Sequence, residues 1–438
     1  MNNNHCLKDF IKYCSLNVLG MLGLSCYILA DTFFVANGIG PDGLTALNLA
    51  IPVYNFIHGT GLMLGIGAAT KFSIFHSQDH TDEGNKFFTI TVLLAALSSI
   101  IYILIGAFLS DDITYFLGAN DTVFDMTNTY MKIMLLFSPA FIFNDVFVCF
   151  VRNDGNPKLA MIGMLVGSIT NIIMDYIFIY PLQMGIFGAV LATGFSPVIS
   201  MLILSLHIIR KNNHFRFVRL NVNELLSGRI LNILSLGIPS LISEVSSGVV
   251  IIIFNMIILD IEGNIGVAAY GVIANISLVV VAIYTGISQG IQPLLCNAYG
   301  VGEQKNIKAI MNYSMVTLIS LSALLYAFLY VFADPVTAAF NSDNNATLQT
   351  IAVDGIKLYF TSVLFVGFNI IISTLFTSIE KPVPAQVITL LRGFFVIIPV
   401  AFIFAALFGM TGVWLAFPVT ELIVMLVAVI FIYPLRRR

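Results

Sequence analysis

The sequence predicts an all-α integral membrane protein: twelve transmembrane helices in two six-helix lobes, built as parallel repeats around a central cleft. Composition, the length of the apolar runs and an internal duplication carry this expectation. The 438 residues are 58% hydrophobic and 10% charged, where soluble chains carry about 25% charge. A soluble fold has no place for that much apolar surface, whereas lipid solvates it. A span needs roughly 20 mostly apolar residues, so a chain of this length with short connections holds about twelve.

Breaks rich in Gly, Pro, Asn and Asp place the first six spans near 12–36, 48–76, 86–110, 126–150, 157–180 and 186–210. The second six fall near 229–259, 264–298, 307–335, 349–377, 383–408 and 411–434. Several runs exceed the minimum, which implies tilt or helix extending beyond the lipid. The run from Tyr13 to Val35 is too long for a signal-peptide core and reads as a retained first span. The five cysteines have no metal-ligand or redox spacing and read as buried thiols.

Lys and Arg set the orientation. Lys8, Lys12, Lys71, Lys86, Arg152, Lys158, the connection bearing Arg210 to Arg229, Lys305, Lys308, Lys381 and Arg436 to Arg438 all fall on the side that holds the N-terminus. The opposite loops carry Asp42, Asp111, Asp112, Asp121, Asp260, Asp334 and Asp343. The expectation is a cell (inner or plasma) membrane protein with both termini cytoplasmic. Trp414, the only tryptophan, is expected at the outer interface.

The stretch from Gly155 repeats in the stretch from Glu380. Pro157 matches Pro382, and Gly185, Gly188, Leu191 and Ala192 match Gly409, Gly412, Leu415 and Ala416. A weaker echo links Gly65–Thr70 with Gly286–Pro293. An even number of spans per copy gives both copies the same orientation, as parallel repeats. Residues 1–220 are expected to form an N-lobe and 221–438 a C-lobe, with the basic connection near 211–228 as the seam. Two halves around a cleft suit alternating access.

Ionisable groups inside spans are costly, at least ~2.5–3.5 kcal/mol each, and are functional candidates for that reason. Asp31 in span 1 and Asp175 in span 5 each lie roughly five residues from the outer end, at ~1.5 Å of depth per residue. Asn171 is one turn below Asp175 on the same face. Thr193 and Ala189 of span 6 share a similar depth. This oxygen-only set suits a hard cation such as Na⁺, and two neighbouring carboxylates can equally hold a proton. Glu244, midway along span 7, is expected to face the cleft as a cation or proton contact. Asn275, Gln292 and Asn369 are further cleft candidates, Gln289 adds an uncharged polar group, and Asp145 with Arg152 reads as an interfacial pair. A pairing of Arg392 with Glu421 is a further expectation, and Lys132 and Lys357 read as anchors. There is no HExxH, GxSxG or intramembrane Ser/His arrangement, so an enzyme is not expected.

ADTFFVANGIG in span 1, FVRNDGNPKLAMIGMLVGSITNIIMDYIFIY across spans 4 and 5, MGIFGAVLATGFSP in span 6, GISQGIQPLLCNAYG in span 8 and GMTGVWLAFPVTE in span 12 together resemble the multidrug and toxic compound extrusion (MATE) family, in its DinF/MepA-type branch. The resemblance covers nearly the whole chain. It implies two six-helix lobes around a V-shaped cleft and a multidrug efflux antiporter, exporting amphiphilic or cationic organic compounds against Na⁺ or H⁺. It implies a cation site at Asp31, Asn171, Asp175 and Thr193, with the Ala189 carbonyl as a further ligand, and it maps the family's helix 7 acid onto Glu244. It implies no cofactor beyond the coupling ion, the bilayer and small organic substrates as partners, no nucleic acid, and a monomer. Two departures stand out. Span 1 lacks the proline some members carry upstream of the Asp, and span 10 has Asn369 but no acid in mid-span. The alternatives are an exporter of a single endogenous metabolite and a lipid-linked oligosaccharide flippase, which would want a strongly cationic cleft.

Overall fold

The computed structural model describes residues 3–221, 228–341 and 345–436. Residues 222–227 of the expected seam, Asp343, Arg437 and Arg438 lie outside the described residues, as does the side chain of Arg436. Among the described residues there is helix and connection but no strand. Spans 1 to 3 are Asn3–Gly38, Pro41–Ser77 and Thr81–Phe108. Span 4 is a bent pair, Phe124–Leu136 and Ser138–Asn153, meeting at 49°. Pro157–Ile179 and Gly185–Leu204 form spans 5 and 6.

Two longer helical stretches each supply two spans. Arg229–Gly300 reverses at Gly263, whose φ of 62° only glycine adopts without strain. The Phe254 and Tyr270 rings stack at 5.5 Å, although sixteen residues of straight helix separate them by about 24 Å. The chain therefore turns back into a hairpin. Pro382–Pro434 does the same at Gly409, φ 57°, and Gly412 packs against the Phe404 carbonyl. Gln304–Val331 and Ala346–Ser378 are spans 9 and 10. With the bent pair and both hairpins counted, the crossings number twelve.

The two copies share irregularities as well as helices. Left-handed residues recur as Gly40 with Gly263, Asp79 with Gly302, Gly155 with Glu380 and Gly185 with Gly409, each pair 223 to 225 positions apart. Span 4 breaks at Phe137 and span 10 at the 3₁₀ turn Phe360–Ser362. Short helices Ser110–Phe116 and Ala333–Phe340 precede these broken spans. A π-helical segment, Leu391–Phe395, interrupts span 11 and has no counterpart in span 5.

The copies meet along two seams, span 2 against span 7 and span 1 against span 8, both closed by glycine. Gly67 lies on the Ile233 carbonyl and Gly237 on that of Met63, while Gly286 and Gly290 lie on the backbone of Val18 and Cys14. Small residues permit this backbone-to-backbone approach in lipid, where packing rather than the hydrophobic effect drives association. All of these contacts lie toward the face that carries the termini.

Trp414 does not face lipid as an interfacial anchor would. It is 2% exposed, in the C-terminal core beside Tyr270 and Gly355, because the turn at Gly409 carries it back among spans 7, 8 and 10. Asp145 and Arg152 do not pair either. Asp145 faces His58 of span 2, Nδ1 to Oδ2 at 2.8 Å. Arg152 turns away to donate to Asn17 of span 1 and Gln289 of span 8.

Candidate functional site

Span 5 presents Asn171 and Asp175 one turn apart, and both are fully buried against spans 1 and 6. Gly163 and Gly167 let span 5 approach span 6 closely at Leu204 and Ser196. Asp31, also buried, reaches the cluster from span 1, where its carboxylate neighbours that of Asp175. The Asn171 amide, oriented to satisfy both neighbours, donates to Asp175 Oδ2 at 3.0 Å and accepts from the Thr193 backbone N–H at 3.3 Å. The Thr193 hydroxyl donates to the Ala189 carbonyl at 3.1 Å, so that carbonyl already has a partner. One oxygen of each carboxylate, Asp31 Oδ1 and Asp175 Oδ1, has no hydrogen-bond partner among the described residues. The sequence-derived set Asp31, Asn171, Asp175, Thr193 and Ala189 is thus brought together as one buried cluster of oxygens.

Sequence reasoning missed the tyrosines around it. Tyr130 is buried on span 4, and Tyr27, one turn before Asp31, bonds Tyr54 of span 2 at 3.1 Å. Tyr54 stacks on His58 at 5.6 Å, which leads to Asp145. Buried hydroxyls at helical spacing from an acid are the signal that could have found them.

A cavity of about 410 Å³ lies between the copies. Met21, Leu24 and Ile28 of span 1 and Leu62 and Ile66 of span 2 give it an apolar wall. Its charged lining residues are Arg152, Glu244, Arg392 and Glu421. Arg392 and Glu421 pair at 2.9 Å. Gln289 and Gln292 line the cavity, whereas Asn275 and Asn369 do not. Asn369 instead donates to Glu421 Oε2 at 2.7 Å, and Asn275 is half-buried beyond the wall. Neither Asp31 nor Asp175 touches the cavity. Lys357 lies over the Tyr330 ring at 5.5 Å.

Below the cavity a polar layer ties the copies together. Arg152 donates to Gln289 at 2.5 Å and Asn153 to Gln292 at 3.0 Å, while Gln292 donates to Thr70 at 3.0 Å. Lys71 pairs with Glu380, and Arg229 with Glu83 at 2.8 Å. Among the described residues, every hydrogen bond and ion pair between the copies lies on the terminus-bearing side. The cavity is sealed on that side.

Sequence comparison and fold agree on what this arrangement is. The MatE family model matches residues 18–177 and 239–403, one stretch in each copy. The chain belongs to this family, whose members are membrane transporters and not enzymes. It is 26% identical over 437 residues to the multidrug export protein MepA of Staphylococcus saprophyticus, covering 98% of this chain and 94% of that one. It is 27% identical to MepA of Staphylococcus aureus, covering 96% and 92%. Its fold superposes on a Vibrio cholerae MATE transporter, VcmN, with a TM-score of 0.91 at 19% identity, over 100% of this chain and 98% of that one.

Proposed function

We propose that the chain is a cation-coupled multidrug antiporter of the cell membrane, exporting amphiphilic and cationic organic compounds in exchange for Na⁺ or H⁺. The observation that carries this reading is the separation of two buried sites. The carboxylate pair Asp31–Asp175 is enclosed within the first six spans, while the cavity holding Glu244 lies between the copies. An ion bound at the first biases the lobes, and an amphiphile bound at the second is carried by their movement. Two carboxylates among neutral oxygens suit a monovalent cation or a proton. MepA, named a multidrug export protein, supports the substrate class.

The division into lobes at 220/221 and cytoplasmic termini complete the proposal. The excess of Lys and Arg on the terminus-bearing side favours that orientation, and the sealed face is then the cytoplasmic one. The conformation described is accordingly closed to the cytoplasm. The experiment is dye uptake into everted vesicles with an imposed Na⁺ or H⁺ gradient, for the wild type and Asp175→Asn. Gradient-driven uptake that disappears in the variant is the expected result. Full ion-driven uptake by Asp175→Asn would sink the coupling assignment.

A further inference from the structure

Arg152 is 1% exposed, yet it forms part of the cavity floor. Its partners are Asn17 Oδ1 at 3.3 Å, Gln289 Oε1 at 2.5 Å and Cys149 Sγ at 3.6 Å, all of them neutral. Its Nε has no partner among the described residues. No carboxylate pairs with it there, because Asp145 is taken by His58 and Glu421 by Arg392. A buried guanidinium is stabilised fully only by an anion, which its planar fork binds through two parallel hydrogen bonds. Asn17 and Gln289 both accept from the same nitrogen, Nη1, while Nη2 reaches only the Cys149 sulfur, so no oxygen pair spans the fork as a carboxylate would.

These partners belong to different copies. Asn17 and Arg152 are on spans 1 and 4, whereas Gln289 is on span 8. The Arg152–Gln289 bond is therefore both the cavity floor and a tie across the sealed face. The opposite charge, Glu244, lies in the wall of the same cavity without an ion-pair partner among the described residues. The cavity thus presents one cation and one anion whose charges are not balanced within it.

The geometry points to Arg152 as an anion subsite of the cavity, where the carboxylate of a zwitterionic amphiphile displaces Gln289 and so loosens the tie between the copies. The inference rests on the cavity being the substrate site, as proposed above, and adds the substrate's anionic end. The cationic end of the same molecule faces Glu244. A purely cationic amphiphile has no use for Arg152 and leaves the tie in place.

The test is equilibrium binding of two fluorescent probes to the purified full chain in lipid nanodiscs. The probes are rhodamine 110, with a free carboxylate, and its methyl ester, rhodamine 123. Arg152→Gln should weaken binding of the acid about tenfold or more relative to the ester. Gln289→Leu removes the neutral competitor without removing the charge. It should tighten binding of the acid severalfold relative to the ester, a gain that a merely structural role for Arg152 does not produce. Equal losses for both probes in Arg152→Gln, or no gain for the acid relative to the ester in Gln289→Leu, would overturn the inference. If Arg152→Gln does not fold, the Gln289→Leu comparison decides alone. Binding needs no gradient, so failure here leaves ion coupling standing, and failure of ion-driven uptake leaves this result standing.

Discussion

The hydroxyls of Tyr27 and Tyr54 meet at 3.1 Å, and each stands one helical turn before an ionisable group on its own span. Tyr27 precedes Asp31 and Tyr54 precedes His58. The pair links the enclosed carboxylates to the His58–Asp145 contact, which lies near Glu244 and the cavity. Removing either hydroxyl strands the other in a buried site, at a cost of about 1–3 kcal/mol. Removing both strands neither. Tyr27→Phe and Tyr54→Phe should each lower thermal stability in detergent, while the double variant should lose little more than either single one. Additive losses across this double-mutant cycle would show that the hydroxyls do not act as a unit.

Glycines in the two seams set how tightly the sealed face can close. A methyl group at Gly237 would collide with the Met63 carbonyl, whereas one at Gly271 meets nothing within van der Waals reach. Overpacking typically costs about 1–3 kcal/mol. Backbone cannot move aside as a side chain can, so the strain falls on the closed arrangement. Gly237→Ala should cut dye transport about tenfold with the folded chain still recovered from detergent. Gly271→Ala should transport normally and be as stable as the wild type or slightly more so, since alanine favours helix by up to about 1 kcal/mol. Equal transport by the two variants would remove the role given to the span 2–7 seam.

Gln292 makes bonds to both Asn153 and Thr70 and is the most heavily used amide between the copies. Gln292→Leu deletes both bonds and leaves the Asn153 and Thr70 polar groups short of a partner. The closed face should then open more often. Cys14 reports on this directly, because it is buried beneath Gly290 in the neighbouring seam. Its alkylation by a membrane-permeant maleimide, read by peptide mass spectrometry, should rise severalfold in the variant. Cys26, exposed in the described structure, serves as the internal control and should not change. Unaltered labelling of Cys14 would mean that the seam holds without this amide.

The spans were readable in the sequence because each needs a long apolar run and the bilayer tolerates little else. The candidate ion pocket was readable for a related reason. Acids in spans are scarce, and the spacing of Asn171 and Asp175 puts them on one face wherever span 5 packs. What the sequence left open was adjacency between distant spans. Asp145 and Arg152 sit two turns apart on one helix, which suggested a pair, but span 2 offers His58 to one and spans 1 and 8 offer amides to the other. The burial of Trp414 was not legible because the hairpin at Gly409 shows in sequence as a loop and says nothing of which core receives the next turn. The bend at Phe137 was invisible, since a bent span stays as apolar as a straight one.

The connection between the copies reads in sequence as a basic linker, yet its described part is docked onto the first copy. Phe215 is 1% exposed and packs with Phe88 at 4.8 Å and Phe150 at 5.8 Å. Around it, the His214 ring and backbone N–H reach Asp154 at 2.8 Å, and the Arg216 and Val218 N–H groups donate to Asn85 and Thr89. The anchor therefore has an apolar centre and a polar rim, and the centre should dominate. Phe215→Ala removes a full ring from a closed cluster, a change worth about 3–5 kcal/mol. Asp154→Asn keeps the shape and loses only charge-assisted bonds, worth about 1.5–3 kcal/mol each at most. Limited trypsin digestion at Arg216 and Arg219 is the measurement, because both side chains are exposed but the backbone held by Asn85 and Thr89 must lift to enter a protease cleft. Cleavage should be fast in Phe215→Ala, intermediate in Asp154→Asn and slow in the wild type. Equal rates in all three would mean that the connection is held by something other than this anchor.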